Sequence, residues 1–245
     1  MSRFFVDQHQ IQDQFIHLTD RNDIKHLSKV LRLKEGDEVD VSDGSSWEYR
    51  GEICSISEDE VLLSIMDKQK FAREPEIEVT LFQGVPKTGK METIVQKCVE
   101  LGVHGIVPVF MDRTVVIEKG NFSKKLDRWQ KVSDEAVKQC KRGIIPQIGQ
   151  QLNFGEMIEH LGAYDLVLFP YEQEEGVSIK DCLRSLTKKP KTIAIVIGPE
   201  GGFSQKEAEA MEKAKTVSVT LGKTILRTET AGMAALAMTM YELEL

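Results

Sequence analysis

Two glycine-bearing loops in the last fifth of the chain offer backbone groups for ligand binding. The first loop runs from 197 to 204 and the second from 221 to 231, and each follows a short β-like run. Each loop also precedes a helix-like segment, so each should present N–H and C=O groups at the carboxyl edge of a sheet, where ligands of open α/β folds bind. The sequence therefore predicts one pocket built largely from backbone.

Local signals place the helices that follow these loops. Glycines in the first loop reach backbone angles that are closed to other residues, and Ser204 and Glu207 have the spacing of a capping box. A helix should therefore begin near Gln205. The second loop leads through a possible cap at 228–230 into a helix of very small side chains over 231–238. Ordinary turns and an ordinary core helix would use the same residue types. The prediction of a binding pocket therefore rests on the two loops occurring together.

The loop from Gly84 to Lys90 resembles the phosphate-binding loop of nucleotide triphosphatases. It fails at Met91, where a Ser or Thr should bind magnesium, and Pro86 removes an N–H that such a loop would donate. A magnesium-dependent nucleotide hydrolase is thus a weak alternative. Lys87 and Lys90 fit better as RNA contacts or as plain surface charge.

Charge and composition narrow the class of protein. The 245-residue chain has 41% apolar residues and a net charge of −7, which is unusual for a nucleic-acid binder. The segment from Arg113 to Arg142, however, contains nine basic and four acidic residues. These lysines fit the solvated face of an amphipathic helix, and an exposed basic face is also what phosphate contacts require.

No feature of the sequence predicts a metal, a membrane span or a signal peptide. The four cysteines have no paired spacing, which argues against a zinc site or a disulfide framework. Cys140, beside Arg142, is the only candidate nucleophile, and a structural cysteine is the preferred interpretation. No apolar run has the length of a membrane span, and polar residues interrupt the N-terminal segment early. We therefore expect a cytoplasmic protein.

A charged stretch from Lys68 to Pro75 marks a linker between two domains, 1–72 and 73–245. The first domain should be a small β-barrel with one short helix capped by Thr19 or Asp20. Its predicted strands are 3–6, 15–18, 38–41, 47–56 and 61–66.

The second domain alternates strands and helices, which indicates an α/β fold with a mainly parallel sheet covered on both faces. The predicted strands are 77–83, 105–110, 164–169, 192–197 and 217–221. The predicted helices are 91–101, 123–141 and 179–186, followed by the two helices after the glycine-bearing loops.

With these motifs in order, the chain resembles the SPOUT superfamily of RNA methyltransferases, and within it the small-subunit ribosomal RNA uridine N3-methyltransferases often called the RsmE family. The resemblance also rests on motifs at 3–5, 26–32, 36–37, 90–92, 100–103 and 139–142. Their order and spacing are specific, although no single motif is. Lys138 departs from the pattern, because the family often has Glu before the Gln-Cys pair.

The resemblance implies a PUA-like RNA-binding barrel followed by a SPOUT domain with a C-terminal trefoil knot. It also implies a homodimer, to which the small-residue helix over 231–238 could contribute, and S-adenosyl-L-methionine as cofactor. The implied cofactor-binding residues are Phe169, Gly198, Glu200, Gly201, Leu221, Gly222, Ile225 and Leu226. Glu200 could bind a ribose hydroxyl or the acceptor base, or only shape the turn. The candidate RNA-binding residues are Arg3, Lys29, Arg32, Lys87, Lys90 and Arg142.

Methyl transfer to N3 of uracil needs alignment of the two reactants and stabilisation of the negative charge that spreads over the flanking carbonyl oxygens. Arg227 is the candidate for that stabilisation, and it cannot be the base because its guanidinium stays protonated. Glu229 is a candidate base, although a carboxylate at a helix start is also favoured by the helix dipole. The expected substrate is small-subunit (16S) ribosomal RNA, within an assembled or assembling subunit. A non-catalytic RNA-binding protein on the same scaffold is the main alternative.

Overall fold

The computed structural model describes residues 3–71, 74–87, 89–116 and 122–244. The chain forms two compact units, Met1–Glu74 with Val137–Ile145, and Pro75–Ala136 with Pro146–Leu245. The return of 137–145 to the first unit has no signal in the sequence. Ala72 and Arg73 of the predicted linker, and Thr88 of the phosphate-loop candidate, lie outside the described residues.

The first unit is built on a six-stranded sheet. Its strands are β1 (Arg3–Phe5), β2 (Ile11–Gln12), β3 (Phe15–Leu18), β4 (Glu38–Ser42), β5 (Trp47–Ile56) and β6 (Val61–Lys70). The spatial order is β1-β4-β5-β6-β3-β2, and only β1 with β4 is a parallel pair. The five predicted strands are confirmed, while β2 is too short to predict and β6 extends beyond Met66.

The helix of the first unit starts as the sequence predicts. Helix α1 (Arg21–Lys25) is capped by Asp20, which accepts hydrogen bonds from the N–H groups of Asn22 and Asp23, both at 2.9 Å. A π-helical segment, His26–Val30, follows directly. Ile24 and Leu27 are buried in a core with strand residues, so packing stabilises a helix that would be too short to persist alone.

The second unit consists of alternating strands and helices. Its strands are β7 (Glu78–Gly84), β8 (Gly105–Phe110), β9 (Gln147–Ile148), β10 (Leu152–Asn153), β11 (Leu166–Pro170), β12 (Thr192–Ile197) and β13 (Val217–Val219). Its helices are α2 (Lys90–Glu100), α3 (Phe122–Cys140), α4 (Phe154–Leu161), α5 (Ile179–Arg184), α6 (Gln205–Lys213) and α7 (Thr228–Glu244), and the last turn of α3 belongs to the first unit.

The predicted parallel sheet is confirmed. Its order is β10-β8-β7-β12-β11-β13, with β9 also paired to β8, and all of its pairs are parallel. The central strand β12 is buried from Ile193 to Ile197, as expected where helices cover both faces. This order places the carboxyl ends of β12, β11 and β13 side by side.

Helix α7 begins earlier than the sequence suggests. The carbonyl of Arg227 accepts hydrogen bonds from the N–H groups of Thr230 and Ala231, so Thr228 lies inside the first turn instead of capping it. The helix packs against α2, α5, β7 and β12. Among the residues that the structure describes, no helix is long and apolar enough to cross a membrane.

Candidate functional site

A pocket of about 760 Å³ lies at the carboxyl ends of β11, β12 and β13. Both glycine-bearing loops contribute to it, together with the segment after β11. Of the predicted cofactor residues, Gly198, Glu200, Leu221, Gly222, Ile225 and Leu226 line it, with Arg227 and Lys90. The pocket has the size of an ordinary small-molecule site.

A buried chain of hydrogen bonds fixes the relation between the first loop and helix α7. The Gln83 side-chain amide donates to the Thr228 hydroxyl at 2.9 Å, and that hydroxyl donates to the carbonyl oxygen of Gly198 at 2.6 Å. All three groups are buried, so each lost bond would leave an unpaired polar atom without water. The end of β7, the end of β12 and the start of α7 are therefore tied together below the pocket.

Close backbone approach tightens the same region. A Cβ on Gly84 would stand 2.5 Å from the Pro199 nitrogen and 2.7 Å from the carbonyl carbon of Gly198. Only glycine fits where two backbone segments come this close. The loop after β7 therefore packs against the pocket loop.

The predicted capping box at the start of α6 is confirmed, with a further contact. Ser204 and Glu207 exchange the two expected hydrogen bonds. Glu207 is buried and also accepts from the Asp112 N–H at 2.8 Å, while the Ser204 hydroxyl donates to the Asp112 carboxylate at 2.7 Å. These bonds tie the first pocket loop to the segment after β8.

Three charged side chains form an ion cluster at the edge of the pocket. The Lys90 ammonium lies 3.1 Å from a Glu200 oxygen and 3.0 Å from a Glu229 oxygen. The same Glu200 oxygen accepts a hydrogen bond from the Lys87 N–H at 2.9 Å. Lys90, which the sequence offered as an RNA contact, thus binds two carboxylates of its own unit.

The pKa values in this cluster follow from these contacts. The hydrogen bond to Glu229, then that to Glu200, raises the pKa of Lys90 above its ordinary value. Burial alone would raise the pKa of Glu229, but its own backbone N–H and Lys90 lower it below the ordinary value. For Glu200, burial is likewise outweighed, by the N–H of Lys87 and by Lys90. A general base works best with a pKa near the operating pH, so this setting disfavours Glu229 as the base.

Unlike the Lys90 ammonium, the Arg227 guanidinium is free. Its side chain is exposed, lines the pocket, and forms no hydrogen bond or ion pair with any described residue. Its backbone carbonyl starts helix α7, which fixes the position of its Cα. Five N–H donors are therefore held at the pocket wall and are available to a bound molecule.

Phe169 lies behind the pocket instead of lining it. Its buried ring stacks on Tyr171, with centroids 5.1 Å apart, and meets Phe203 edge-on at 4.7 Å. Tyr171 and Phe203 line the pocket, and neither was predicted from the sequence. Their position beside predicted strand ends was the available signal.

Other lining residues also went unpredicted. They are acidic in the segment after β11 and mixed in the second loop: Glu172, Glu174, Glu175, Thr220, Lys223 and Thr224. Gly201 is not among the lining residues; it lies against Arg113, where a Cβ on Gly201 would stand 2.8 Å from the Arg113 Cβ. Arg113 also donates to the Gly201 carbonyl at 2.9 Å.

Arg3 and Arg142 have positions in the first unit that disfavour an RNA contact. Arg3 is buried, ion-paired with Glu48, and donates to the carbonyl of Lys141 at 2.9 Å. Arg142 is buried and pairs with Glu74 at 2.8 Å. Both guanidinium groups therefore already have internal partners. The remaining candidates, Lys29, Arg32 and Lys87, are exposed.

Lys138, where the family often has Glu, pairs with Asp23 at 3.0 Å within the first unit. That contact gives it a local structural partner. Among the described residues, no three His, Cys, Asp or Glu side chains lie close enough together to hold a metal ion.

The arrangement around Gly84 disfavours a nucleotide hydrolase. The Lys87 N–H, which a phosphate would need, donates to a carboxylate. Lys90, the would-be phosphate lysine, is held between Glu200 and Glu229. A triphosphate entering this loop would meet two negative charges.

Comparison with known proteins gives consistent matches over both units. Residues 73–240 match a model described as the RNA methyltransferase domain, and 18–66 match the RNA methyltransferase PUA domain. Ribosomal RNA small subunit methyltransferase E of Bacillus subtilis is 32% identical, with 100% of this chain and 98% of that protein covered. The Mesomycoplasma hyopneumoniae protein of the same name is 31% identical, with 95% and 96% covered.

A solved structure agrees with these sequence matches. The crystal structure of a ribosomal RNA small subunit methyltransferase E from Neisseria gonorrhoeae bound to S-adenosyl methionine superposes with a TM-score of 0.85. Its identity is 26%, and the match covers 98% of this chain and 97% of that one. The α/β fold with a PUA-like first domain is thereby confirmed, and the chain belongs to the ribosomal RNA small subunit methyltransferase E family of RNA methyltransferases.

Proposed function

We propose that this protein transfers the methyl group of S-adenosyl-L-methionine to N3 of a uridine in 16S ribosomal RNA. The observation that carries the proposal is the free guanidinium of Arg227 on the wall of a pocket built from backbone loops. Family membership supports the reaction class and the RNA. The choice of uridine N3 rests on the motifs that resemble the uridine N3-methyltransferases.

The residues that line the pocket suit the proposed cofactor in charge and in apolar surface. The molecule carries a sulfonium, an ammonium and a carboxylate, for a net positive charge. Four glutamates and three basic residues line the pocket. The positive and the negative groups of the cofactor can therefore both meet opposite charges, and the lining has a net negative charge. The rings of Tyr171 and Phe203 offer apolar surface to an adenine, and the backbone of Gly198, Leu221 and Leu226 offers hydrogen bonds.

S-Adenosyl-L-methionine supplies an electrophilic methyl group on a positively charged sulfur. The residues of this chain then have two tasks, binding and charge stabilisation. Arg227 would donate to the uracil carbonyl oxygens that flank N3, where negative charge develops as the N3 proton passes to solvent water. Glu229 supports the start of α7 through Lys90, and its lowered pKa keeps it ionised.

The RNA-binding surface is proposed to include Lys29 and Arg32 of the first unit and Lys87 of the second. All three are exposed basic residues, as phosphate contacts require. We keep 72/73 as the proposed boundary between an RNA-binding barrel and a SPOUT domain with a C-terminal trefoil knot. We also propose that the protein is cytoplasmic and that its substrate is an assembled or assembling small ribosomal subunit.

We further propose a homodimer in which helix α7 forms part of the interface. Ala231, Ala234, Met238 and Tyr241 recur at helical spacing, and the last two are exposed. Small and apolar side chains on one helix face would allow a second subunit to pack closely against it. Light scattering of the full chain tests this, since a monomer mass at micromolar concentration would contradict it.

The central experiment measures methyl transfer from labelled cofactor to small ribosomal subunits from cells lacking the protein. Wild type, Arg227→Ala and Lys213→Ala are compared, with nucleoside analysis of the product and calorimetry of cofactor binding. We expect 3-methyluridine from wild type and from Lys213→Ala, whose exposed lysine lies on α6 outside the pocket lining. We expect its loss in Arg227→Ala with cofactor affinity retained.

Two outcomes would reject parts of this proposal. Cofactor binding without transfer to subunits or naked RNA would favour the non-catalytic RNA-binding protein. Methylation at another atom would keep the enzyme and overturn the assignment to uridine N3.

A further inference from the structure

Lys90 lies where three elements of the second unit meet. It is the first residue of α2, while Glu200 belongs to the loop after β12 and Glu229 to the first turn of α7. Its ammonium is within 3.1 Å of both carboxylates. One cation therefore joins two segments that are 29 residues apart and that both border the pocket.

The cluster is poorly suited to bind an RNA phosphate. Its formal charge is −1, from two carboxylates and one ammonium, so a phosphate would meet net repulsion. The Lys90, Glu200 and Glu229 side chains are only 27%, 21% and 22% exposed. Two carboxylates already lie within 3.1 Å of the ammonium, so a phosphate would compete with them for the same positive charge.

The cluster connects segments that border the pocket. Arg227 lies two residues before Glu229, and Gly198 lies two residues before Glu200. Glu200 is also anchored by the Lys87 N–H, so it links the loop after β7 to the same point. Without the ammonium, two carboxylates that each lie about 3 Å from its nitrogen would repel each other and separate these segments.

We propose that Lys90 is a positioning residue that holds the loop after β12 against the start of α7, and thereby sets the pocket and Arg227 for the reaction. The proposal rests on the function proposed above and adds a role for a lysine at the pocket edge that acts through two carboxylates. It replaces the RNA contact expected from the sequence.

The test compares Lys90→Met, Glu229→Gln and the double variant in the full-length protein. Calorimetry with S-adenosyl-L-methionine should show an affinity about fivefold weaker for Lys90→Met, since the pair is partly shielded from water. Adding Glu229→Gln removes one of the two repelling charges and should return the affinity to within about twofold of wild type. Affinity for small subunits, and its dependence on salt, should be unchanged in Lys90→Met, because no phosphate contact is lost.

Lys97→Met is the matched control. It removes the same kind of side chain from the same helix, where Lys97 pairs with Glu100 at 2.8 Å, outside the pocket lining. Cofactor affinity should be unaffected. Equal loss in both lysine variants would mean a general effect on α2 and would overturn the positioning role.

Two further outcomes separate this proposal from the proposed function. Unchanged cofactor affinity together with weaker, less salt-sensitive RNA binding in Lys90→Met would make Lys90 an RNA contact and overturn the proposal. If wild type binds no S-adenosyl-L-methionine, the proposed function fails. The coupling between Lys90 and Glu229 is then measured from the free energies of unfolding in urea of wild type, the two single variants and the double variant. A stabilising coupling between Lys90 and Glu229 would then support only the first part of the proposal, that Lys90 holds the loop after β12 against the start of α7, and zero coupling would overturn that part as well.

Discussion

The two units use their basic side chains in opposite ways. In the first unit, Arg3 and Arg142 are buried, and each is matched by one carboxylate. In the second unit, Lys90 is shared by two carboxylates at the pocket edge, while Arg227 is exposed and its side chain forms no hydrogen bond or ion pair with any described residue. Basic side chains thus form buried ion pairs in one unit, and in the other they join two carboxylates or face a pocket.

This contrast shows that the partner decides the role of a basic residue, because the charge itself is the same in each place. A buried guanidinium requires a carboxylate, since desolvation would otherwise cost several kcal/mol. An exposed guanidinium stays hydrated and can exchange water for a ligand. Substitutions in both units test the contrast, from the largest expected effect to the smallest.

Replacing Arg142 should have the largest effect on stability. Arg142→Ala leaves the Glu74 carboxylate buried, so we expect the free energy of unfolding to fall by about 3 kcal/mol. Urea unfolding followed by circular dichroism measures this. Glu74 also accepts from the N–H groups of Gly143 and Ile144, so the return segment should loosen with the loss of the arginine.

Arg227→Ala is the comparison for this prediction. Its side chain is exposed, so we expect unfolding indistinguishable from wild type. The exposed pair of Arg21 with Asp59 provides a second control, because surface ion pairs contribute little. A stability loss in Arg227→Ala as large as that in Arg142→Ala would break the contrast between the units.

Gly84→Ala tests whether the second unit depends on close backbone contact. The new Cβ would stand 2.5 Å from the Pro199 nitrogen, so one of the two segments must shift. We expect a loss of about 1–3 kcal/mol in unfolding free energy and weaker cofactor binding. Urea unfolding and calorimetry on the same sample measure both.

Gly162→Ala is its control. Gly162 has φ −65°, and a Cβ added there would have no neighbouring atom within 4 Å, so alanine fits without strain. We expect equal or slightly higher stability. If Gly84→Ala behaved in the same way, the close approach would not be needed for the pocket.

The smallest expected change in the free energy of unfolding comes from replacing Glu244 of the second unit. Burial would raise the pKa of Glu244, but hydrogen bonds from the Glu76 N–H and Lys189 lower it below its ordinary value of 4.5. A lowered pKa in the folded state stabilises the protein above the unfolded pKa, and that stability is lost as the pH falls through the folded pKa. Glu244→Gln should therefore cost about 1 kcal/mol at pH 7.

The pH dependence separates this effect from a simple loss of packing. The difference between wild type and Glu244→Gln should shrink as the pH falls below 4.5, because the glutamic acid becomes neutral in both states. Unfolding at pH 7 and pH 3 measures it. A constant difference would show that the charge of Glu244 does not contribute.

Much of the fold could be predicted because its signals are local. The strand over 192–197 and the start of α6 follow from an apolar run and from the Ser204–Glu207 spacing, and both are confirmed. Helix α4 was missed although Asn153 and Glu156 have the same spacing and form a capping box. The two-residue strands β9 and β10 are too short to leave a pattern.

The candidate site was predictable as a set of loops and less so as a set of side chains. Six of the eight predicted cofactor residues line the pocket, because strand ends in a parallel sheet converge at one edge. Phe169 is buried behind the lining, and the exposed Gly201 packs against Arg113 instead of lining the pocket. Burial of a strand-end ring depends on which neighbours cover it, and here Tyr171 and Phe203 do.

The sequence by itself determined the alternating elements, the parallel sheet, the two glycine-bearing loops and the family, because apolar periodicity, caps and motif order are properties of the chain. Tertiary structure alone decided which basic residue faces the pocket, which is buried and which joins two carboxylates. Ion pairs such as that of Lys90 with Glu229 join residues 139 positions apart. Their formation depends on distances that exist only after the sheet has brought the segments together.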